Sequence, residues 1–190
     1  YASSKLKGEF FIRKNFKEAN ILKPSVIYSV DDNFTTNFMT ILGLLPIFPL
    51  YYNGSTLFRP IYISDLTEII YQMIAKNIKS TTLECVGPEE ISLKNILKRL
   101  LKLIGKKRLL LPMPLPIALF TAKMFELLPN PILTQDQLRL LKYDNVLSGK
   151  YKNNSEIGTP SKKYFNDEVK KYAYMWREGG QFSTEKYLNK

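Results

Sequence analysis

The chain has 190 residues, 45% apolar, 13% aromatic and 24% charged, the composition of a folded soluble protein with an ordinary core. With no histidine and a single cysteine, Cys85, it cannot build the usual zinc or iron ligand sets, an imidazole-assisted hydrolase or an internal disulfide. The formal net charge of +11 asks for an anionic partner, whether nucleic acid, anionic lipid, an acidic protein or a phosphorylated ligand, and charge alone does not choose among them.

Residues 1–17 have the pattern of a helix, followed by Ile21-Leu22-Lys23-Pro24-Ser25-Val26-Ile27-Tyr28, which reads as a buried strand. Asn33 to Leu45 is a second helical stretch ended by Pro46. Asn53-Gly54 marks a turn between residues 48–52 and 57–63, which form either a hairpin or two separate extended segments. Ser64 and Asp65 are suited to cap a helix reaching Asn77, with Leu66, Ile69, Ile70, Met73 and Ile74 on its apolar stripe. Thr81 to Val86 reads as a buried strand, in which Cys85 serves as a small hydrophobe in a reducing compartment rather than a reactive thiol.

After Gly87-Pro88, Ser92 caps the clearest amphipathic helix, with Leu93, Ile96, Leu97, Leu100, Leu101 and Ile104 on one side and Lys94, Lys98, Arg99 and Lys102 on the other. From Ile91 to Phe125 the chain carries eight cations and no acid. Residues 109–133 are apolar but broken by five prolines, too interrupted for a span of about 20 residues. Residues 117–128 read as a short helix, either in the core or lying on a partner or an anionic membrane surface with Lys106-Lys107-Arg108 at the headgroups. Beyond Gly149 the composition turns polar, as in a tail.

Tyr1 and Lys5 share one helix face, and an ammonium beside a phenol lowers a pKa that is normally near ~10, so the pair can move a proton to or from a substrate hydroxyl. With 12 tyrosines in the chain the spacing is weak evidence by itself, and the bland reading is an ordinary surface tyrosine and lysine.

Context sharpens it. Tyr1-Ala2-Ser3-Ser4-Lys5, Gly8-Glu9, the run Lys23 to Tyr28, Phe58-Arg59-Pro60-Ile61-Tyr62-Ile63-Ser64-Asp65, Val86-Gly87-Pro88-Glu89 and Leu133 to Leu141 with Asp144-Asn145-Val146 together resemble an atypical extended short-chain dehydrogenase/reductase. The subgroup resembled is that of the NADPH-binding accessory subunit of respiratory complex I and its bacterial relatives, which are NAD-dependent epimerase/dehydratase-like proteins. The resemblance covers residues 1–149 and reads the chain as a C-terminal fragment that opens on the family's tyrosine.

The resemblance implies an α/β fold, the C-terminal part of a Rossmann-type doubly wound parallel sheet with a smaller, mostly helical substrate-side subdomain. It divides the chain into a dinucleotide-domain portion over 1–86 with a substrate-side insert over 31–60, a basic helical docking unit over 87–149 and a tail over 150–190. It implies NADP or NAD as cofactor, Tyr1 and Lys5 as the catalytic pair on the nicotinamide ribose, and backbone contact with the ring at Pro24, Ser25 and Val26.

Three departures follow. The Gly-rich phosphate loop belongs to a strand-helix unit these residues do not include, so this portion alone should bind cofactor poorly. Ser29-Val30 replaces a usual Gly-Pro, and Arg59 stands where the subgroup shows glutamine, facing either a bound phosphate or solvent.

Three functions remain open. The first is a nucleotide-binding accessory or assembly protein of a respiratory complex, with complex subunits and an anionic membrane surface as partners. The second is an NAD(P)-dependent enzyme on a nucleotide-sugar, sterol-like or quinone-like substrate. The third, nucleic-acid binding, lacks a motif. No secretion signal is visible, which favours the cytoplasm or the mitochondrial matrix side of the inner membrane.

Overall fold

The structure, a computed structural model, describes residues 2–114, 116–117 and 135–182. Helix α1 (Ala2–Asn15) leads into β1 (Ile21–Pro24) and β2 (Ile27–Tyr28). The expected single strand is thus two, because the main chain changes partners between them. The Ser25 amide donates to the Cys85 carbonyl at 2.9 Å, extending the parallel ladder of β1 with β6 (Thr82–Cys85). One residue later the Val26 carbonyl accepts from the Ile61 amide at 3.0 Å, opening the parallel pairing of β2 with β5 (Ile61–Tyr62).

The first sheet has the order β1-β6-β9, with β9 (Lys152–Asn153) added parallel to β6. The two extended segments around Asn53-Gly54 do not form a hairpin with each other. Strand β3 (Ile47–Leu50) pairs in parallel with β8 (Leu109–Pro112), and β4 (Leu57–Phe58) runs antiparallel to β7 (Ile91–Ser92). The turn between them is real: Tyr52, Asn53 and Gly54 have φ of 49°, 56° and 66°. At Gly54 a Cβ would lie 2.8 Å from Lys94 Cβ, so both φ and space favour glycine.

Helix α2 (Thr35–Leu44) starts under the carboxylate of Asp32, which accepts from the amides of Phe34 and Thr36 at 2.9 and 3.0 Å, and it stops before Pro46. Helix α3 (Ile63–Ala75) begins earlier than expected, with Tyr62 as N-cap rather than Ser64 or Asp65. Asp65 instead accepts from the amides of Lys162 and Lys163 at 3.0 and 2.9 Å, fastening the later chain to this helix. Leu66, Ile69 and Met73 are buried, whereas Ile70 and Ile74 face outward. Helix α4 (Leu93–Leu103) follows its expected pattern: the Ser92 hydroxyl caps the Asn95 amide at 3.3 Å, and the six expected apolar positions are buried.

Two apolar clusters result. One gathers Ile61, Leu66, Ile69, Met73, Leu83 and Cys85 between α3 and the first sheet. The larger joins α2, β3 and α4 to α6 (Phe165–Lys170) through Met39, Leu42, Leu50, Ile96, Leu97, Leu100, Phe165 and Val169. The polar stretch after Gly149, expected as a tail, therefore supplies a strand and part of the main core through the described residue 182. Of its apolar residues, Phe165, Val169, Tyr172 and Ala173 are buried, while Tyr151, Tyr164, Met175 and Phe182 stay exposed. Short helix α5 (Gln135–Leu140) buries Leu138 beside Tyr51. Tyr1, and the helix expected over 117–128 apart from residue 117, lie outside the described residues. No described helix is long and apolar enough to cross a membrane.

Helix α1 is tied to the sheet by the Glu9 carboxylate, which meets Lys23 Nζ at 2.8 Å and Arg13 at 3.1 Å. The Lys23 hydrogen bond holds the Glu9 carboxyl below the usual carboxylate range. Arg13 also donates to Thr82 Oγ1 of β6, while Leu6, Phe10 and Phe11 on the helix, and Phe16 just after it, are each more than half exposed.

Gly87 is the tightest point in the fold. Its amide donates to the Arg59 carbonyl at 3.0 Å, and a Cβ there would sit 1.7 Å from the Pro60 carbonyl oxygen. Gly87→Ala should cost about 2–3 kcal/mol by forcing these backbones apart, while Gly43→Ala, in open space on α2, should be neutral or stabilising. Urea unfolding midpoints of the two variants check this.

Candidate functional site

Parallel strands that diverge at their carboxyl ends leave a crevice there, and in this fold the divergence falls at Ser25. The buried Ser25 hydroxyl donates to the Asn145 carbonyl at 2.9 Å. That same carbonyl accepts the Arg59 amide at 3.1 Å, and the Asn145 amide donates to the Leu57 carbonyl at 2.7 Å. The Asp144 carboxylate takes the Leu57 amide at 2.8 Å. The Asp144-Asn145 segment is thus stitched between the end of β1 and β4.

A cleft of about 490 Å³ opens on one side of this stitch. It is lined by Ser25, Val26, Asp144 and Asn145, by Phe34, Phe38, Ile41 and Phe58 with Asn33 and Asn37, and by Leu140, Leu141 and Tyr143. The phenyl groups brace one another, with Phe34 5.1 Å from Phe38 and 5.7 Å from Phe58 between ring centres. A smaller recess of about 200 Å³ on the other side is bounded by Lys23, Pro24, Ser25, Glu84, Val86 and Asp144 to Val146. Its buried Glu84 carboxylate is held by the Ser148 amide at 3.1 Å and hydroxyl at 2.5 Å.

Of the residues singled out in the sequence, Ser25 and Val26 border the cleft and Pro24 and Ser25 border the recess. Lys5 lines a separate hollow on α1 with Glu9 and Ile21 to Lys23. The structure does not bring Lys5 and Ser25 into one cavity, although Lys23 borders both hollow and recess. Tyr1 lies outside the described residues, so its distance to Lys5 carries no argument. Arg59, expected against a phosphate or in solvent, is half-buried, and its Nε is enclosed without a hydrogen-bond partner.

Other groups with reactive side chains are disabled by burial. Tyr28 packs between Tyr62 and Phe165 and donates to the Lys163 carbonyl at 3.3 Å, and desolvation drives its phenol far above the ordinary range. Tyr172, bonded to Thr35 Oγ1 at 2.8 Å, is raised for the same reason. Burial pushes the Cys85 thiol up to about 12, so it acts as a core residue. No cluster of three or more potential metal ligands occurs among the described residues.

The phenylalanine wall and the Asp144-Asn145 stitch escaped sequence reasoning as site features. The available signal was Asn33/Asn37 and Phe34/Phe38, each four apart on one helix, which reads equally well as ordinary amphipathicity.

No family model matches the chain. Among curated proteins, mouse NADH dehydrogenase (ubiquinone) 1 alpha subcomplex subunit 9, mitochondrial, is 27% identical over 147 residues, which are 76% of this chain and 39% of that protein. Among solved structures, UDP-glucuronic acid 4-epimerase from Bacillus cereus, in complex with UDP-glucuronic acid and NAD, aligns with a TM-score of 0.58 at 18% identity, covering 90% of this chain and 51% of the epimerase. RMD from Pseudomonas aeruginosa, complexed with NADPH, aligns at 0.56 and 6% identity over 88% of this chain and 50% of its own.

The crevice at the switch in strand pairing and these matches define the class: this is the fold of the extended short-chain dehydrogenase/reductases, to which NAD-dependent epimerases and dehydratases belong. The chain is similar in sequence to the mouse complex I subunit, and it spans about two-fifths of that protein's length.

Ser25→Ala removes the hydroxyl that fastens Asn145 and should lower stability by about 1 kcal/mol. Amide hydrogen exchange at Asn145 and Leu57 should quicken in the variant.

Proposed function

We propose that the protein is a nicotinamide-dinucleotide-binding accessory or assembly factor of respiratory complex I (NADH:ubiquinone oxidoreductase). The observation that carries the reading is the mouse complex I subunit, whose similarity runs through three-quarters of this chain. The crevice at Ser25 supports it, because it offers main chain at the carboxyl ends of parallel strands, where this class of fold accepts the nicotinamide end of a dinucleotide.

In this reading Pro24, Ser25 and Val26 present backbone to the nicotinamide ring, and Lys5 with Tyr1 reaches its ribose. The residues fit one end of the cofactor only, since the 190 residues contain no Gly-rich strand-turn-helix loop for the pyrophosphate. When bound, the cofactor supplies hydride chemistry. The chain's own groups would orient it, Tyr1 as the group that would hold or pass a proton and Lys5 as the cation beside that phenol. Bound structures of the class hold NAD in one case and NADPH in the other, and either would meet the residues named here in the same way.

Partners of this reading are subunits of the complex and an anionic membrane surface, on the matrix side of the inner membrane. The outward face of the β3–β8 pair supports the membrane contact. Ile47 pairs with Leu109, Leu44 and Leu45 flank them, and Lys107 lies beside Arg108, whose guanidinium is anchored on the Leu42 and Gly43 carbonyls at 2.9 and 3.0 Å. Aliphatic side chains rimmed by lysine suit a lipid headgroup layer better than a protein interface, which favours aromatics and is poor in lysine.

A second reading, an active reductase or epimerase, is favoured by the open 490 Å³ cleft beside Ser25. Steady NADPH oxidation with a ketone, quinone or sugar nucleotide would replace the first reading with this one.

In a form of the protein that carries a phosphate loop, Lys5→Ala should weaken NADPH binding by about tenfold, as expected for a lost charge-assisted contact, and Tyr1→Phe should leave the melting temperature unchanged. Fluorescence titration of NADPH measures the first, and unchanged affinity would remove Lys5 from the site. In vesicle flotation, Leu109→Asp should abolish binding to anionic vesicles without changing NADPH affinity.

A further inference from the structure

We infer that the cleft beside Ser25 binds a neutral, largely apolar ring compound carrying a carbonyl oxygen, of the quinone or sterol kind, and not a sugar nucleotide. The inference rests on the same crevice assigned above to the nicotinamide end, but binding of such a ring needs no nucleotide.

The wall composition decides the ligand's polarity. Phe34, Phe38 and Phe58 present a braced aromatic surface, and Ile41, Leu141 and Tyr143 add to the lining. A volume of about 490 Å³ is within the range that encloses a small organic molecule of two to four rings. A ring pressed between phenyl groups and leucines gains from apolar burial and from edge-to-face contacts.

Charge decides against a diphosphate. None of the described lining residues is a cation, and the one charged group among them is the Asp144 carboxylate, which would repel phosphate. Of the nearby cations, Lys142 lies over the Tyr143 ring at 5.9 Å, and Arg59, though half-buried with an unpartnered Nε, does not line the cleft. A buried diphosphate without arginine, lysine or a helix amide cluster would lose its hydration uncompensated.

Two carboxamides supply the polar end. Asn37 in the first turn of α2 and Asn33 just before the helix both line the cleft, where their NH2 groups can donate to a ligand carbonyl. A neutral carboxamide pair recognises a ketone or quinone oxygen, and apolar walls take the rest of the molecule.

The test uses the 190-residue protein and three probes, menadione as a bare quinone ring, progesterone as a sterol-like ketone, and UDP-glucose. Saturation-transfer NMR and calorimetry should show menadione or progesterone binding and no heat or transfer with UDP-glucose. Asn37→Lys, at an exposed position, should weaken ring binding about tenfold by placing an ammonium in an apolar cleft, with an unchanged thermal melt. The Leu109→Asp variant should bind the ring as the parent does. Tight UDP-glucose binding, failure of both ring probes, ring binding unmoved by Asn37→Lys, or ring binding lost in Leu109→Asp would each overturn the inference. NADPH affinity is read separately, in a form of the protein that carries a phosphate loop: ring binding without NADPH binding there sinks the nucleotide site alone, and the reverse sinks the ring site alone.

Discussion

Everything in this fold turns on a change of hydrogen-bond partner at one peptide unit. At Ser25 the main chain leaves β6 and joins β5, and the two ladders it links are parallel, so their carboxyl ends fan apart. The fan would leave open backbone were it not filled by Asp144 and Asn145, which return from 119 and 120 residues later to satisfy Ser25, Leu57 and Arg59. The crevice is the part of the gap they do not fill. Position and shape of the site are therefore consequences of topology, and its chemistry is set by whichever side chains the surrounding helices supply.

Those helices are arranged by two cores of different kinds. The smaller core, under α3, is a strand-and-helix contact of aliphatic residues. The larger one takes α2 and α4 on one side and α6 with its aromatic neighbours on the other, so the wall of the cleft and the basic helix share a foundation. Because α2 carries Asn37, Phe38 and Ile41, with Asn33 and Phe34 leading into it, anything that shifts α4 against α2 reaches the cleft. The cations of α4 take no part in that packing: Lys94, Lys98 and Lys102 are exposed, while Arg99 is bonded to Glu89 at 2.7 Å.

Legibility in the sequence followed locality. Helix α4 could be read residue by residue, since a strong 3.6-residue period and a serine cap act within a few positions. The strand around Pro24 was visible as a β-branched run, but its division was not, because it depends on the partners Cys85 and Ile61, distant in sequence. Asp65 has the composition of a helix cap and serves as an acceptor for residues 162 and 163, a competition no local rule can decide. The stretch after Gly149 was misread for the opposite reason: its polar majority masked the four apolar residues that matter. Ser25 and Val26 entered through family resemblance, whereas the phenylalanine wall needed the fold to bring residues 34, 38, 58 and 141 together.

Helix α1 has a consequence for the life of the protein in a cell. It exposes Leu6, Phe10 and Phe11, and β1, to which it is tied through Glu9 and Lys23, stands at the edge of its sheet among the described residues. A surface of that kind adheres to whatever strand or apolar face it meets, and quality-control factors recognise the same signature. A surface packed over α1 would remove that liability, so whatever covers these side chains would also protect the chain from adhesion.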